Sequence, residues 1–403
     1  MRPHALLAAA LLLFAIALPT LAQETEASIP LSWFDEAPHH AKQWKVSIQP
    51  DLNYNQRFSI GLFASIPAPK KSDSRGSLYL IVRAADEHGK FFDGGDSTRV
   101  DLNSLATKTA DIRWHTNFYV KPGAYQVVLL VFDARSNQHF LWRETIRVDR
   151  PHVLPDLDRD MPRVEFVQGR SRHAPVGEHL PIDNQRPLRI DVIMNLTGDQ
   201  QMSLASGFYS RLRQFSLEGA LVGAVSVMSQ MQPTNGCVRI SAIDIVHLQV
   251  ARDRAVADTN VDWQQVRATI IKNRDTQTVD LKTLTGRQKA REFFRQYIDK
   301  VVSDDSGCGS GRTQPDRAVI VVSDALEFPK GTDKEPVAPP EQRGGRFYHV
   351  KIAFRGPTFD NVGHMLDTLH PRRFTVNEPK DLRRAIAEII HDLEQPAPAT
   401  RVQ

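Results

Sequence analysis

The sequence contains little cysteine: only Cys237 and Cys308 occur among its 403 residues. No Cys-x-x-Cys pair is present, so a redox or zinc motif of that kind is excluded. In an oxidising compartment an even pair is typical of a disulfide, and a bridge across this spacing would stabilise the fold by about 4 kcal/mol. The alternative is two buried thiols that do not pair.

The sequence also lacks the common catalytic motifs. It has no Gly-x-Ser-x-Gly elbow and no His-Glu-x-x-His helix. The glycine-rich stretch 307–311 lacks a following Lys-Ser or Lys-Thr and precedes a strand, so it does not predict a phosphate-binding loop. The histidines are dispersed, and neither His39-His40 nor the pair His364 and His370 has an evident partner set. We therefore expect a protein that is not an enzyme.

Concentrated charge of one sign is absent. The formal net charge is +4, and the densest basic pairs, Lys70-Lys71 and Arg372-Arg373, have no aromatic residues between them. A nucleic-acid groove needs a concentrated basic stripe, so we expect no nucleic-acid partner.

Long hydrophobic runs are absent after the first residues. Arg2 precedes an apolar run from Ala5 to Leu18, and Thr20-Leu21-Ala22 suits a signal peptidase cut before Gln23. The run is shorter than the roughly 20 residues that span a bilayer. Residues 1–22 therefore predict a signal peptide, and the mature chain is expected to be periplasmic or secreted, with no transmembrane span. The alternative is an uncleaved N-terminal anchor.

Short strands separated by turns fill residues 28–150. The candidate strands are rich in β-branched and aromatic residues and several alternate with period two, which predicts an antiparallel β-sandwich with immunoglobulin-like topology. Pro122-Gly123-Ala124-Tyr125 resembles a tyrosine corner. The alternative for Tyr125 is an ordinary half-buried strand residue.

A proline-rich stretch follows. Residues 151–187 contain six prolines and little periodicity, which predicts a stiff, extended connector. At the other end of the chain, residues 395–403 are rich in proline and alanine and are predicted to be a disordered tail.

Strands and helices alternate from 188 to 394. Leu188–Asn195 and Ala318–Ser323 are continuous apolar runs typical of central parallel strands, and 237–250 predicts one long strand. A helix is predicted from Gly286 to Val302, where apolar residues recur on one face. This alternation predicts a doubly wound α/β domain.

The second half resembles a von Willebrand factor A domain. The buried strand followed by Ser323-Asp324 is similar to that family's fourth strand, and residues 374–390 are similar to its closing strand and helix. The whole chain resembles exported bacterial proteins related to that family, which carry a β-rich module before the domain. The resemblance implies a protein-binding domain.

The resemblance also implies a metal-ion-dependent adhesion site in degenerate form. The family's Asp-x-Ser-x-Ser motif corresponds to Asn195-Leu196-Thr197-Gly198-Asp199, in which an amide replaces the first carboxylate. Thr197, Asp199 and Asp324 would be the ligands of a Mg²⁺ ion. A further threonine ligand would be Thr283 or Thr285. The alternative is that Asn195, Thr197 and Asp199 only form a turn that caps the next helix.

Together these observations predict an exported, non-catalytic protein-binding module. Its binding surface would be the carboxyl edge of the α/β sheet and would include Asn195, Thr197, Asp199 and Asp324. Two alternatives remain open: a divalent-metal-dependent adhesin with a variant site, and an exported hydrolase with a dispersed site.

Overall fold

A computed structural model describes thirteen segments of the chain: residues 29–40, 43–68, 76–104, 111–149, 162–166, 180–197, 219–253, 261–273, 279–281, 283–304, 315–324, 345–353 and 360–395. These residues divide into two compact units. The first unit lies within residues 1–50, 60–149 and 163–168, and the second within 51–59, 150–162 and 169–403.

The first unit is built from two four-stranded sheets, whose orders are β1-β2-β5-β8 and β4-β3-β6-β7. In the second of these sheets every neighbouring pair is antiparallel. β3 and β6 carry long runs of buried residues. The strands are β1 (Lys45–Leu52), β2 (Phe58–Pro67), β3 (Ser77–Ala85), β4 (Asp96–Asp101), β5 (Asp111–Val120), β6 (Gly123–Asp133), β7 (Gln138–Val148) and β8 (Val164–Phe166).

Tyr125 forms the corner that the sequence suggested. Its ring is fully buried, and its hydroxyl donates a hydrogen bond of 2.5 Å to the carbonyl oxygen of Lys121. Because this bond joins β6 to the end of β5, the tyrosine fixes the turn between the two strands.

A six-stranded sheet with the order β13-β12-β10-β14-β15-β16 organises the second unit. The strands from β12 to β16 in this order run parallel, and β13 runs antiparallel at one edge. Every residue of β10 is buried. The strands are β10 (Leu188–Asn195), β12 (Gly236–Asp244), β13 (Gln249–Arg252), β14 (Asp316–Asp324), β15 (Arg346–Ile352) and β16 (Arg372–Val376).

Helices cover both faces of this sheet. Residues 219–228, here α1, and α5 (Pro379–Glu394) pack with alternate strand residues such as Ile190 and Ile320. On the opposite face, α3 (Leu284–Ser303) and α4 (Asn361–Met365) pack against Ile193 and Val321. α2 (Trp263–Asn273) contributes Val266 to the first cluster. Both faces of the central strands are therefore buried, which explains their continuous hydrophobicity.

The fold class predicted from the sequence needs correction. Strands make up 47% of the structure and helices 26%, and the sheets are antiparallel or mixed, which overturns a doubly wound α/β fold of the von Willebrand factor A type. One local reason is that the predicted long strand 237–250 is a hairpin. The chain turns back after Asp244, with Leu248 at φ 50°, and adds an antiparallel edge strand.

The predicted connector 151–187 contains two short strands. β8 pairs with β5, and β9 (Leu180–Ile182) pairs in parallel with β11 (Met231–Pro233). Strands of three residues are too short to give a periodic pattern. The prediction of an extended connector therefore rested on the prolines alone. In the part of the chain that the structure describes, no helix is long and apolar enough to cross a membrane. The predicted signal peptide lies outside the described residues, and so does the predicted tail 395–403 apart from Gln395, which caps the last helix.

Candidate functional site

Polar residues gather where the parallel strands of the second unit end. β10 ends at Asn195, β12 at Asp244 and β14 at Asp324. Asn195 is in register with Ile243 on one side and Ser323 on the other, so these strand ends are adjacent. We call this group the carboxyl-edge site, and it comprises Asn195, Thr197, Asp244, His247, Ser323, Asp324, His349, Lys351 and Asp360.

The inner part of the site is a buried hydrogen-bond network around Thr197. The Thr197 hydroxyl accepts a hydrogen bond of 2.7 Å from the backbone N–H of Ile245. The same hydroxyl lies 2.7 Å from Asn195 Oδ1 and 3.2 Å from Asp244 Oδ1, so its one proton is shared between these acceptors. Thr197 therefore joins the ends of β10 and β12.

Asp244 organises the turn after β12. Its Oδ1 accepts hydrogen bonds of 3.1 Å from the backbone N–H groups of Val246 and His247, and its Oδ2 lies 2.7 Å from His247 Nδ1. Both side chains are almost completely buried. A buried carboxylate with this many donors is well compensated, and it fixes the tight turn that makes β13 antiparallel.

Asn195 carries an unsatisfied donor. Its Oδ1 also accepts a hydrogen bond from the Thr197 backbone N–H at 3.2 Å, which sets the orientation of the amide. The Nδ2 atom is buried and has no hydrogen-bond partner among the described residues. The Oδ1 atom, through which an amide binds a cation, already accepts hydrogen bonds from the Thr197 backbone N–H and hydroxyl. The Asn195 side chain in this orientation is therefore a poor fit to a Mg²⁺ site.

Ser323 and His349 form a second buried pair. Ser323 Oγ lies 2.8 Å from His349 Nε2, and burial lowers the pKa of His349 to about 4, with repulsion from Arg373 and Lys351 adding to the effect and Asp360 opposing it. His349 Nδ1 is 3.9 Å from Asp360 Oδ2, which is too far for a hydrogen bond. The residue types resemble a serine nucleophile triad, but Ser323 is fully buried and a substrate carbonyl would not reach its oxygen.

Three side chains at the rim of the site keep contact with solvent. Asp324, at the end of β14, is half-buried. Lys351 Nζ lies 3.6 Å from Asp360 Oδ2, and both side chains are nearly one-fifth exposed. Asp360 also caps α4, because its Oδ1 accepts a hydrogen bond of 2.9 Å from the Gly363 N–H. A side chain at position 363 would collide with this carboxylate, so the cap requires glycine there.

The structure places most of the residues predicted for this site. It brings Asn195, Thr197 and Asp324 to one edge of the sheet, whereas Asp199 lies outside the described residues. Thr283 is the N-cap of α3, where its hydroxyl accepts from the Gly286 N–H, and Thr285 lies in the first turn of that helix. Metal binding by Thr197, Asp199 and Asp324 stays a prediction.

Sequence reasoning missed Asp244, His247 and His349. Asp244 meets Thr197 across 47 residues and His349 meets Ser323 across 26, whereas His247 joins the site through Asp244, three residues before it. The sequence did contain one indication of Asp244. It is the polar residue at the end of the apolar run of β12, as Asn195 is the polar residue at the end of the apolar run of β10.

Cys237 lies at the start of β12 and is buried. Its predicted partner Cys308 lies outside the described residues, so the disulfide also stays a prediction.

Comparisons with known proteins identify no family for this chain. No family model matches the sequence, and no curated protein matches it. Among solved structures, a structural genomics target is 11% identical with a TM-score of 0.17 and covers 29% of this chain and 93% of its own.

Two larger solved structures are also similar. A glycosyl hydrolase family 2 member from Bacteroides cellulosilyticus is 9% identical with a TM-score of 0.22, over 84% of this chain and 42% of that one. A β-glucuronidase from Bacteroides uniformis is 8% identical with a TM-score of 0.20, over 82% and 39%. This chain spans less than half the length of these two enzymes, and TM-scores this low carry no argument about fold or function.

Proposed function

We propose that this chain is an exported, non-catalytic protein-binding module that binds its partner at the carboxyl-edge site. Export rests on the signal peptide predicted for residues 1–22. The site itself rests on one observation. Three adjacent strands end in polar residues, Asn195 and Asp244 are hydrogen-bonded to Thr197, and the carboxylates of Asp324 and Asp360 reach solvent.

The position of the site supports a binding role. Ligands of sheets with parallel strands commonly bind outside the carboxyl ends of those strands. The rim groups Asp324, Lys351 and Asp360 would supply charge complementarity to a partner.

The same geometry favours binding over hydrolysis. Ser323 is the serine nearest to a histidine in the site, but its oxygen is buried and the third member of the triad is out of hydrogen-bond range. A low pKa keeps His349 neutral at pH 7, and its role is to satisfy the Ser323 hydroxyl.

A matched pair of substitutions tests the proposal. Asp316 and Asp324 lie at opposite ends of β14 and are both half-buried, so Asp316→Ala is the control for Asp324→Ala. After crosslinking in the native envelope identifies the partner, we expect Asp324→Ala to weaken its binding about tenfold or more, equivalent to about 1.4 kcal/mol. Asp316→Ala should leave the affinity unchanged. Equal affinities for both variants would remove the carboxyl edge from consideration.

Calorimetry with Mg²⁺ and Mn²⁺ separates this proposal from a metal-dependent adhesin. A cation-dependent site would give a binding heat that Thr197→Val and Asp324→Ala reduce. We expect no heat that these two substitutions remove, because Asn195 supplies a neutral amide whose Oδ1 already accepts hydrogen bonds from Thr197.

A further inference from the structure

A second cluster of polar side chains lies in the first unit, far along the sequence from the carboxyl-edge residues. It consists of Glu36, His39 and His139. One ligand atom can be chosen from each of the three side chains so that all lie within 4.8 Å of one another. The group could not be predicted from the sequence, because His39 and His139 are separated by 100 residues.

The backbone that carries Glu36 and His39 is fixed against β7. His39 and Leu141 exchange backbone hydrogen bonds of 2.9 and 3.0 Å. Arg143 donates to the carbonyl oxygens of Phe34 at 2.5 Å and Glu36 at 3.3 Å. Phe34, in the 3-10 helix Leu31–Asp35, is buried in a cluster with Leu141. The three side chains therefore extend from backbone that is held in place by hydrogen bonds, which lowers the entropy lost when they bind an ion.

One pair of ligand atoms already lies near the separation that a transition-metal ion requires. His139 Nε2 lies 2.9 Å from Glu36 Oε2, and the third ligand atom, from His39, lies within 4.8 Å of both. Two ligand atoms bound to one Zn²⁺ ion at about 2.1 Å lie about 3.0–3.4 Å apart. Small rotations of the Glu36 and His39 side chains would bring the three ligand atoms around one ion.

Neighbouring groups orient the two rings. His39 Nδ1 lies 2.9 Å from the carbonyl oxygen of Ala37 and His39 Nε2 lies 3.1 Å from that of His139. An ion at Nε2 would replace the second of these contacts, while an Nδ1–H donor would keep the first and hold the ring. The indole of Trp33 stacks on the His139 ring at a centroid distance of 4.1 Å and an interplanar angle of 7°. Support of this kind is what holds metal-ligating histidines in place.

We propose that Glu36, His39 and His139 bind one divalent transition-metal ion of the Zn²⁺ class. Two imidazoles and one carboxylate suit Zn²⁺, Cu²⁺ or Ni²⁺, whereas Mg²⁺ and Ca²⁺ prefer ligand sets made only of oxygen. Three protein ligands leave a fourth position of a tetrahedral ion for water or an outside ligand. The ion joins the 29–40 segment to β7 and stabilises the first unit by mass action.

Calorimetric titration of the tag-free full chain with ZnCl₂ tests the proposal. We expect one ion per chain and no response to MgCl₂. His139→Gln and His39→Gln should each weaken Zn²⁺ binding by at least about tenfold, the lower end of the loss seen even for residues that only support a ligand. The control is His88→Gln, because His88 and Glu87 also form an exposed His–Glu pair, at 3.8 Å, and should leave the affinity unchanged.

Tryptophan fluorescence gives a second readout at the site. Because Trp33 stacks on His139, bound Cu²⁺ should quench part of the emission of the five tryptophans, and Trp33→Phe should remove that part. No Zn²⁺ binding at millimolar concentration would overturn the proposal. Binding that persists unchanged in His39→Gln and His139→Gln would also overturn it, since the ion would then lie elsewhere.

Discussion

The amino and carboxyl ends of the six-stranded sheet in the second unit differ in how their buried polar side chains are paired. At the amino end, Asp191 accepts hydrogen bonds of 2.9 Å from both Arg189 and Arg239, and Arg239 also reaches Asp304 at 3.3 Å. Arg189 donates further to carbonyl oxygens at the end of α3, including that of Val301 at 2.9 Å. Burial lowers the pKa of Arg189, and Asp191 opposes that shift.

The carboxyl end contains fewer buried ion pairs and more neutral hydrogen bonds. Thr197 and Asn195 are neutral, the Asn195 Nδ2 donor has no partner among the described residues, and Asp324 and Asp360 extend to solvent. The comparison teaches that charge at the amino end is used to hold α3 on the sheet. At the carboxyl end, the carboxylates of Asp324 and Asp360 reach solvent, where charge complementarity to a partner is available.

The largest effect is expected from breaking the amino-end cluster. Asp191→Ala leaves two buried guanidinium groups without their shared carboxylate, so we expect the free energy of unfolding to fall by about 3–5 kcal/mol. Urea unfolding measures the loss. Asp316→Ala, at the same edge but half-buried, is the control and should cost less than about 0.5 kcal/mol. Equal losses would show that the cluster is not what holds this end together.

The next effect concerns Cys237, also at the amino end, in register with Arg189. If it pairs with Cys308, reduction should lower the free energy of unfolding by about 4 kcal/mol. The variant Cys237→Ser with Cys308→Ser should equal the reduced protein in urea unfolding. Two titratable thiols in the unfolded, unreduced chain would contradict the pairing.

A pH titration tests the carboxyl end. The pKa of His349 is about 4 in the folded chain and 6.5 ordinarily, so between these values the unfolded chain binds a proton that the folded chain does not. The contribution of His349 to stability is therefore fully present above about pH 6.5 and should be lost progressively as the pH drops toward 4. His349→Gln should lose this part of the slope. His364→Gln, at an exposed histidine, should keep it.

The sequence predicted the features that depend on residues close together in the chain, and it missed those that depend on contacts between distant residues. The bounds of β10 and the approximate extents of β14 and α3 were predicted, because each is a continuous or periodic apolar run. The hairpin at Asp244 was missed, since it depends on side-chain bonds that periodicity does not reveal. Asn195 and Thr197 were predicted from the resemblance of residues 195–199 to a motif that stands at the end of a first buried strand, and β10 does end at Asn195.

The partners of these residues could not be predicted in the same way. Asp244 and His349 join the site through strand register, and Glu36 meets His139 through a pairing across 103 residues. Pattern in a single sequence contains no information about such distant pairings.

The smallest stability effect is expected at Thr197. Thr197→Val removes the hydroxyl that accepts from the Ile245 N–H and donates toward Asn195 and Asp244, so we expect a loss of about 1–3 kcal/mol. Thr197→Ser keeps the hydroxyl and should retain most of the stability in the same urea experiment. If both variants lose equally, methyl packing and not the hydrogen bonds accounts for the effect.

Site-specific photo-crosslinking tests the central difference between the two ends most directly. A photoreactive amino acid is placed at position 324 in one protein and at position 316 in another, and both are irradiated in the native envelope. The account predicts a crosslinked partner from position 324 and none from position 316. Equal crosslinking from both positions, or crosslinking from position 316 alone, would contradict it.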